Sequence, residues 1–496
     1  MSGFPDCSTT DCANPALHFD GECRWCSKWF CGRHKENVQT HPCFDGHRPE
    51  RIFGGPRPNL DSLVEKYLEK LDIELIIAEV ELLRPGHACT INKPSSWSEL
   101  QKLVGGCNYH IVIVFDDGRR WVMRVRKIGM SYQHLDALRL NLDSEFATVS
   151  FMSEQCILIP KVWARPATSR LPTDLLYFYQ EFVPGVSAFE VLLWVNPITD
   201  PTIKLIRSYA EYTLHLEKIT FDRVGSLHTR PDGMISVGPL IDRRPPFLQP
   251  PHFHGPFDTA KQRYLAIIDL RLEQTLRGER YPPSLELLHY LILLDLRTYL
   301  NDHCPELEEG PWYIKHNDEN GNHVMMEKDG TINGVIDWEW TYITCKAEAF
   351  AAPSCMLGAL IDRDPNILSS RETALMEAYR ALDRTDLAEY VKNGRKYHHL
   401  HRYLFEGVVY PKGLTGMRRA FLDIPEEQDN EPKTIKEWIR DGIKRHGDKQ
   451  AVKDLVARRP DSKLIRAFNQ PDGSVHKDSK KRKLKTDGSL VAASRC

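Results

Sequence analysis

Two aspartates, Asp318 and Asp337, lie nineteen residues apart in the stretch Trp312 to Trp340 and have the residue type that group transfer requires. The first follows a short apolar run. The second ends the β-type run Ile332 to Ile336, which follows a turn at Lys328-Asp329-Gly330. Two carboxylates are thereby brought to the ends of neighbouring segments. Phosphoryl transfer uses such a pair, one to orient and deprotonate an attacking hydroxyl and one to hold a divalent cation against nucleotide phosphates.

A β-hairpin with a polar loop is the simpler interpretation, and an isolated His-x-Asp would favour it. The spacing of the motif residues favours the catalytic interpretation. The stretch resembles the catalytic segment of the aminoglycoside phosphotransferase family, particularly its large fungal branch, which reads H-G-D-x-x-x-x-N, an acidic-Gly turn and I-I-D-W-E. The residues in register are His316, Asp318, Gly330, Gly334, Ile336, Asp337, Trp338 and Glu339.

One position departs from this pattern, since His323 stands where the family has a metal-binding asparagine. The oxygen of an asparagine suits magnesium, whereas a neutral imidazole suits softer ions. Either Asn322 or water replaces the missing ligand, or manganese is preferred, because it accepts nitrogen more readily than magnesium does.

The resemblance covers residues 89 to about 421 and implies an α+β, two-lobed, protein-kinase-like fold that uses ATP. In that fold Asp318 accepts the proton of the acceptor hydroxyl, His316 braces the catalytic loop and Asp337 holds magnesium. A basic residue on an N-lobe strand steadies the phosphates. Arg124 stands there, but Arg126 lies on the same strand face and the assignment between them stays open.

Further residues of the expected nucleotide site rest on local patterns. Gly105, Gly106 and Asn108 open a hairpin of strands 111–115 and 121–125, and resemble the nucleotide-covering loop G-G-x-N-x-V-F, although a glycine pair is also ordinary turn chemistry. Glu145, early in a helix that Asp143 is expected to cap, either pairs with the strand's basic residue or complements the helix dipole. Glu181 lies in a segment that resembles the hinge between lobes, where adenine bonds to main chain.

Eight potential metal ligands lie in the first 43 residues, which contain six of the thirteen cysteines. Such clustering favours metal over disulfides in an intracellular chain, and eight sulfur and imidazole ligands suffice for two tetrahedral zinc ions. A reactive cysteine cluster, or one zinc with four spare ligands, is the alternative. The ligands are Cys7, Cys12, Cys23, Cys26, Cys31, His34, His41 and Cys43.

This segment resembles the AN-one class of zinc finger, with the first cysteine pair and the two histidines spaced more widely than in that class. Its interleaved pairing implies one zinc on Cys7, Cys12, Cys31 and His34, and another on Cys23, Cys26, His41 and Cys43. Fingers of this class usually bind proteins.

Charge and composition indicate the location of the protein in the cell. The 496 residues carry a net charge of −2, but residues 431–496 hold 18 Lys and Arg against 9 Asp and Glu, so the tail is +9 and the remainder −11. No run of about 18 apolar residues and no signal peptide is recognised, which predicts an intracellular protein without a membrane partner. The basic cluster Lys477 to Lys485 indicates nuclear import or a solvated tail, so the predicted location is cytoplasmic, nuclear or both.

We expect five segments: a two-zinc finger (1–48), a linker with an amphipathic helix (49–87), an N-lobe (88–183), a helical C-lobe (184–421) and a charged helical extension with a basic tail (422–496). The favoured function is transfer of the ATP γ-phosphate to a hydroxyl of a small molecule. The alternative is a catalytically impaired kinase-fold scaffold acting through its finger. Nucleic-acid binding is the weakest candidate, because the finger mixes acidic with basic residues and has no aromatic-basic stacking pattern.

Overall fold

The structure is a computed structural model. It describes residues 6–16, 28–35, 37, 39–41, 69–92, 99, 105–127, 135–156, 158–192, 198–243, 250–281, 284–357, 366–406, 409–424 and 432–458. Several sequence predictions lie outside these residues: the ligands Cys23, Cys26 and Cys43, the first part of the amphipathic helix, and the basic cluster 477–485.

The N-lobe is built on a five-stranded antiparallel sheet with strand order β1-β2-β3-β5-β4. Alternate apolar residues of its second strand, such as Ile111 and Ile113, are buried, because side chains along a strand point to opposite faces. The strands are β1 (Cys89–Ile91), β2 (Asn108–Phe115), β3 (Arg120–Arg126), β4 (Val162–Trp163) and β5 (Tyr177–Glu181).

Helix α1 (Gly32–Lys35) is a single turn near the N-terminus. Longer helices line the sheet of the N-lobe, and the structure corrects where two of them begin. Helix α2 (Ile73–Leu83) starts at Asp72, whose carboxylate accepts from the Leu75 amide, so the helix predicted from residue 63 is interrupted there. Helix α3 (Leu135–Gln155) starts eight residues before Asp143. The prediction that Asp143 caps this helix is therefore wrong, and Glu145 lies in the middle of α3.

The chain leaves the N-lobe at Gly185. Its φ is +119°, and a Cβ there would lie 2.5 Å from the Met326 carbonyl oxygen, so only glycine fits. The next strand, β6 (Val186–Ser187), joins the hairpin that contains Met326. The lobes are thus joined where the sequence placed the hinge.

Short sheets in the C-lobe carry the catalytic stretch. One has strand order β13-β10-β7, the second β12-β11-β6, and β8 and β9 form a separate hairpin. The strands are β7 (Thr220–Phe221), β8 (Ser226–Thr229), β9 (Ile235–Gly238), β10 (Trp312–Lys315), β11 (Val324–Met326), β12 (Ile332–Val335) and β13 (Tyr342–Thr344).

Helices form the rest of this lobe around one large apolar core. They are α4 (Ala188–Leu192), α5 (Asp200–Leu216), α6 (Ala260–Arg277), α7 (Glu286–His303), α8 (Lys346–Ala349), α9 (Ser354–Leu357), α10 (Ser370–Ala381), α11 (Thr385–Lys392), α12 (Arg395–His401) and α13 (Pro411–Leu422), with a 3-10 turn at Pro305–Leu307 and a π turn at Arg402–Glu406.

Two further helices, α14 (Ile435–His446) and α15 (Gln450–Ala457), are the described part of the charged extension. Both pack on α7. A Cβ on Gly442 would lie 3.1 Å from Leu291 side-chain carbons, so glycine permits the close approach of α14. Buried Asp295 of α7 bonds His446 at 2.7 Å and Arg445 at 2.6 Å. This part of the extension is therefore packed on the C-lobe surface.

The predicted α+β, two-lobed architecture is confirmed: a small antiparallel sheet with one long helix precedes a larger helical lobe. In the described parts of the chain, no helix combines the length and the apolar character needed to cross a bilayer.

We predict that Gly330→Ala destabilises the fold more than Gly233→Ala. Both glycines have positive φ, +94° and +84°, so each substitution costs about 1–2 kcal/mol of backbone strain. A Cβ on Gly330 would also lie 2.2 Å from the Pro201 carbonyl oxygen, whereas nothing lies within 4 Å at Gly233. We therefore expect Gly330→Ala to lower the free energy of unfolding by a further ~1–3 kcal/mol in urea denaturation. Equal losses would show that the hairpin is not held against α5.

Candidate active site

The two aspartates lie just beyond the ends of strands β10 and β12, as predicted. His316 links these ends, since its Nε2 lies 3.0 Å from the Ile336 carbonyl oxygen and donates to it. Asp318 is half-buried. Burial raises the pKa of its carboxyl group, and the charge of Asp337 raises it further. The two carboxylates are therefore close enough to interact electrostatically.

Asp337 has an unusual backbone conformation, with φ of +64°. This left-handed region is rare for residues other than glycine, and strain of this kind concentrates at functional sites. The next residue anchors the turn, because the fully buried Trp338 donates from Nε1 to the Val335 carbonyl oxygen at 3.1 Å. The Asp337 side chain keeps 35% of its surface exposed.

Arg124 of β3 is the cation that contacts Asp337. Its buried guanidinium contacts Glu145 of α3 at 2.9 Å and forms an ion pair with Asp337, while Glu339 lies 3.7 Å away. Burial disfavours the charge of Arg124, but Glu145 and Asp337 outweigh it and raise the pKa of the guanidinium. Burial likewise raises the pKa of Asp337, yet the charge of Arg124 leaves it below the usual value. One cation thus joins the sheet, α3 and the catalytic stretch.

Arg126 lies on the same face of β3 but has a different partner. It pairs with Glu339, and both side chains are 2% exposed. Asn108 joins this pair, accepting from Arg126 and donating to Glu339 at 3.4 Å each. With its amide oriented by this network, Asn141 accepts from Arg126 at 2.6 Å and from Trp340 at 3.0 Å. Arg124 is therefore the arginine at Asp337, and Asn108 is buried against Glu339.

The glycine pair forms a tight loop at the start of β2. The Gly105 amide donates to the Asn108 carbonyl oxygen at 2.9 Å. The ammonium group of Lys127 donates to the carbonyl oxygens of Gly105 at 2.6 Å and Gly106 at 3.2 Å. Lys127 therefore fixes the loop through these two carbonyl oxygens, while Gly106 remains exposed.

The side chain of Glu181, in the predicted hinge segment, is bonded to the backbone of an adjacent segment. Its carboxylate accepts from the Lys161 amide at 3.1 Å, so its side chain fixes the segment before β4.

His323 is buried and stacks on His316, with ring centroids 4.3 Å apart. Burial lowers the pKa of both imidazoles, that of His316 to about 4, so both rings are neutral at pH 7. The amides nearby are engaged elsewhere. Asn320 donates to Asp318 at 2.9 Å, and the oxygen of Asn322 accepts from Ser187 at 3.2 Å.

A second cluster of ligand-type side chains lies near the N-terminus. The ligand atoms of Cys7, Cys12, Cys31 and His34 all lie within 4.8 Å of one another. The sulfurs of Cys12 and Cys31 are 3.9 Å apart, and His34 Nδ1 lies 3.4 Å from Cys7 Sγ and 3.5 Å from Cys31 Sγ. His41 of the other predicted set is buried, and its Nε2 has no hydrogen-bond partner among the described residues.

Three residues of the site were missed by sequence reasoning: Lys127, Asn141 and Asn320. Lys127 follows two arginines at the end of a strand, and Asn141 is a polar residue in the middle of a helix. Neither position carries a motif. Asn320 lies two residues after Asp318. Its nearness in sequence to Asp318 is the one signal that could have identified it.

No family model matches the chain, and no curated protein matches it. Several solved structures are similar in fold. An ethanolamine kinase of Plasmodium vivax is 13% identical, with a TM-score of 0.40, over 82% of this chain and 98% of its own. The GDP complex of aminoglycoside 2′-phosphotransferase-IIIa is 14% identical, with a TM-score of 0.38, over 78% and 100%. A macrolide 2′-phosphotransferase of Brachybacterium faecium is 14% identical, with a TM-score of 0.35, over 72% and 100%. At such identities the likeness is one of fold alone.

We predict strong coupling between Arg126 and Glu339 in a double-mutant cycle. Arg126→Met or Glu339→Gln alone should lower the free energy of unfolding by about 3–5 kcal/mol, because each leaves a buried charge unpaired. The double variant should lose less than the sum. The exposed pair of Lys204 and Asp329, at 2.5 Å, is the control and should show much weaker coupling. Additive losses at 126 and 339 would contradict the assigned pairing.

Proposed function

We propose that this protein is an ATP-dependent phosphotransferase that moves the γ-phosphate to a hydroxyl of a small molecule. The observation that carries the proposal is the convergence of Arg124, Glu145 and Asp337 with Asp318 between the two lobes. A fold can host many functions, so the argument rests on this arrangement of charges.

Each residue has one role in the proposed reaction. Asp318 orients the acceptor hydroxyl and takes its proton, and its raised pKa makes it a stronger base than an ordinary carboxylate. Arg124, held by Glu145, contacts the nucleotide phosphates, and the loop of Gly105 and Gly106 covers them. Asp337 would hold a magnesium or manganese ion, which supplies neutralisation of charge on the β- and γ-phosphate oxygens. Its half-buried carboxylate, whose pKa lies below the usual value and which is therefore negatively charged, fits that role.

A kinase-fold scaffold remains the second candidate, because one observation favours it. The amide that phosphotransferases of the resembled family use as a metal ligand is absent at His323, and this imidazole is buried against His316. Asn322, the expected replacement, is bonded to Ser187. In this alternative the protein acts through its finger on a protein partner.

We further propose that Cys7, Cys12, Cys31 and His34 bind one zinc ion. Tetrahedral zinc with thiolate and imidazole bonds of ordinary length requires sulfurs about 3.8 Å apart and sulfur to nitrogen separations of about 3.6 Å. The separations of 3.9, 3.4 and 3.5 Å fit this geometry. His41, with its buried Nε2, belongs to the second proposed zinc ion together with Cys23, Cys26 and Cys43.

ATP with magnesium or manganese should raise the melting temperature of the full-length protein. At a ligand concentration about 100-fold above Kd, binding adds about 2.7 kcal/mol to the free energy of unfolding. Asp337→Asn should remove the metal-dependent part of the shift, because asparagine tolerates the left-handed backbone but lacks the charge. The measurement is a thermal melt with ATP, with and without each metal.

Asp329→Asn, on the exposed turn between β11 and β12, is the matched control and should leave the shift unchanged. No shift with either metal would refute the enzyme and support the scaffold.

The acidic limb of the pH dependence of kcat/KM should report Asp318. Because its pKa is raised, activity should be lost above the usual aspartate range near pH 3.9 as the pH falls. The charge of Arg243 opposes that rise. Arg243→Ala should therefore move the limb to higher pH, whereas Arg243→Lys, which keeps a cation, should leave it near that of the wild type. A limb that Arg243→Ala does not move would exclude Asp318 as the base that titrates.

A further inference from the structure

The cysteine and histidine cluster is attached directly to the C-lobe. The amide of Gly32, the residue after Cys31, donates to the Gly278 carbonyl oxygen at 2.7 Å. Gly278 ends helix α6 in the left-handed conformation, with φ of +72°. The Arg33 side chain lies over this cap, with its Nε 3.9 Å from the position of a Cβ on Gly278. The finger therefore contacts α6 through two consecutive residues.

The surface beneath this contact is charged but buried. Glu279 has no exposed surface, and Arg280 and Glu286 are 5% and 4% exposed. Charged side chains are almost never so completely covered at a free surface. Glu279 pairs with Arg277 of the last turn of α6. Burial of these groups indicates that the end of α6 is an internal interface.

The same helix end also receives the C-terminal segment. Arg458, which follows helix α15, donates from Nη1 to the Leu276 carbonyl oxygen at 2.9 Å. The last carbonyls of a helix lack partners within the helix and need external donors. At α6 one donor comes from the N-terminal finger and another from the C-terminal helices.

The opposite half of α6 reaches the catalytic stretch. Arg263 is buried and bonds Glu348 at 2.7 Å, and Glu348 also accepts from Tyr342 at 2.8 Å. Tyr342 belongs to β13, which pairs with β10, the strand that leads to His316. A single helix thus connects the finger contact with the sheet that positions the site.

We infer that the zinc-bound turn Cys31–His34 is an intramolecular brace whose partner is the end of helix α6 in this chain's own C-lobe. Zinc would order this turn and so present the Gly32 amide to Gly278. The inference rests on the proposed zinc site and is independent of the proposed phosphotransferase activity. It assigns the described part of the finger a structural partner within the chain.

Hydrogen exchange in the full-length protein tests the brace. Removal of zinc with a strong chelator should accelerate exchange of the amides at 270–281 by about tenfold, the equivalent of 1.4 kcal/mol, while the sheet amides at 108–126 keep their rates. Zinc content, measured by elemental analysis, separates the steps. A protein that binds no zinc refutes the site and the brace together, and unchanged exchange at 270–281 after zinc is lost refutes the brace alone.

Gly32→Pro is the matching variant, since proline fits the first position of a helix but has no amide to donate. It keeps all four ligands. We expect it to retain zinc and to show the faster exchange at 270–281, whereas Gly32→Ala, which keeps the amide, should behave as the wild type. Wild-type exchange in zinc-loaded Gly32→Pro would overturn the inference.

Discussion

One buried cation holds the site together. The guanidinium of Arg124 lies between carboxylates from α3 and from the catalytic stretch, and Arg126 repeats the arrangement one step further along β3 with Glu339. Such pairs are costly to separate in a medium of low dielectric constant, because each half would be left as an uncompensated charge. The five-stranded sheet of the N-lobe and the segment Asp337–Trp340 are therefore fixed relative to each other.

The parts of the fold that follow simple periodic patterns were predictable. Strands β2 and β3, the long helices of the C-lobe and the hinge at Gly185 were expected near where they lie, because alternation, helical spacing and glycine each leave a local signal. The start of α3 was not predicted correctly. Aspartate is a common helix-capping residue, but Asp143 lies eight residues inside the helix. Packing of α3 against the sheet outweighed that local preference.

The residues of the candidate site were likewise predictable only in part. The spacing of His316, Asp318 and Asp337 predicted that they would come together, but it could not decide between Arg124 and Arg126, which share one face of β3. Only the positions of Glu145 and Glu339 in space make that distinction. Lys127 and Asn141 act through buried hydrogen bonds to partners distant in sequence, and such bonds leave no pattern in a single chain. The predicted cysteine and histidine ligands of the N-terminus were the opposite case, since the ligand atoms of four of the eight lie within 4.8 Å of one another.

The stacked pair His316 and His323 has a consequence for how the protein tolerates acid. Burial keeps both imidazoles neutral when folded, and it does the same for His289, His398 and His399 in the C-lobe. In the unfolded chain each of these rings takes up a proton near pH 6.5. Their folded pKa values are lower, so stability falls as the pH drops from about 6.5 towards 4, before most carboxylates titrate. Mild acidity would therefore lower the stability of the helical lobe, in which all five of these rings lie.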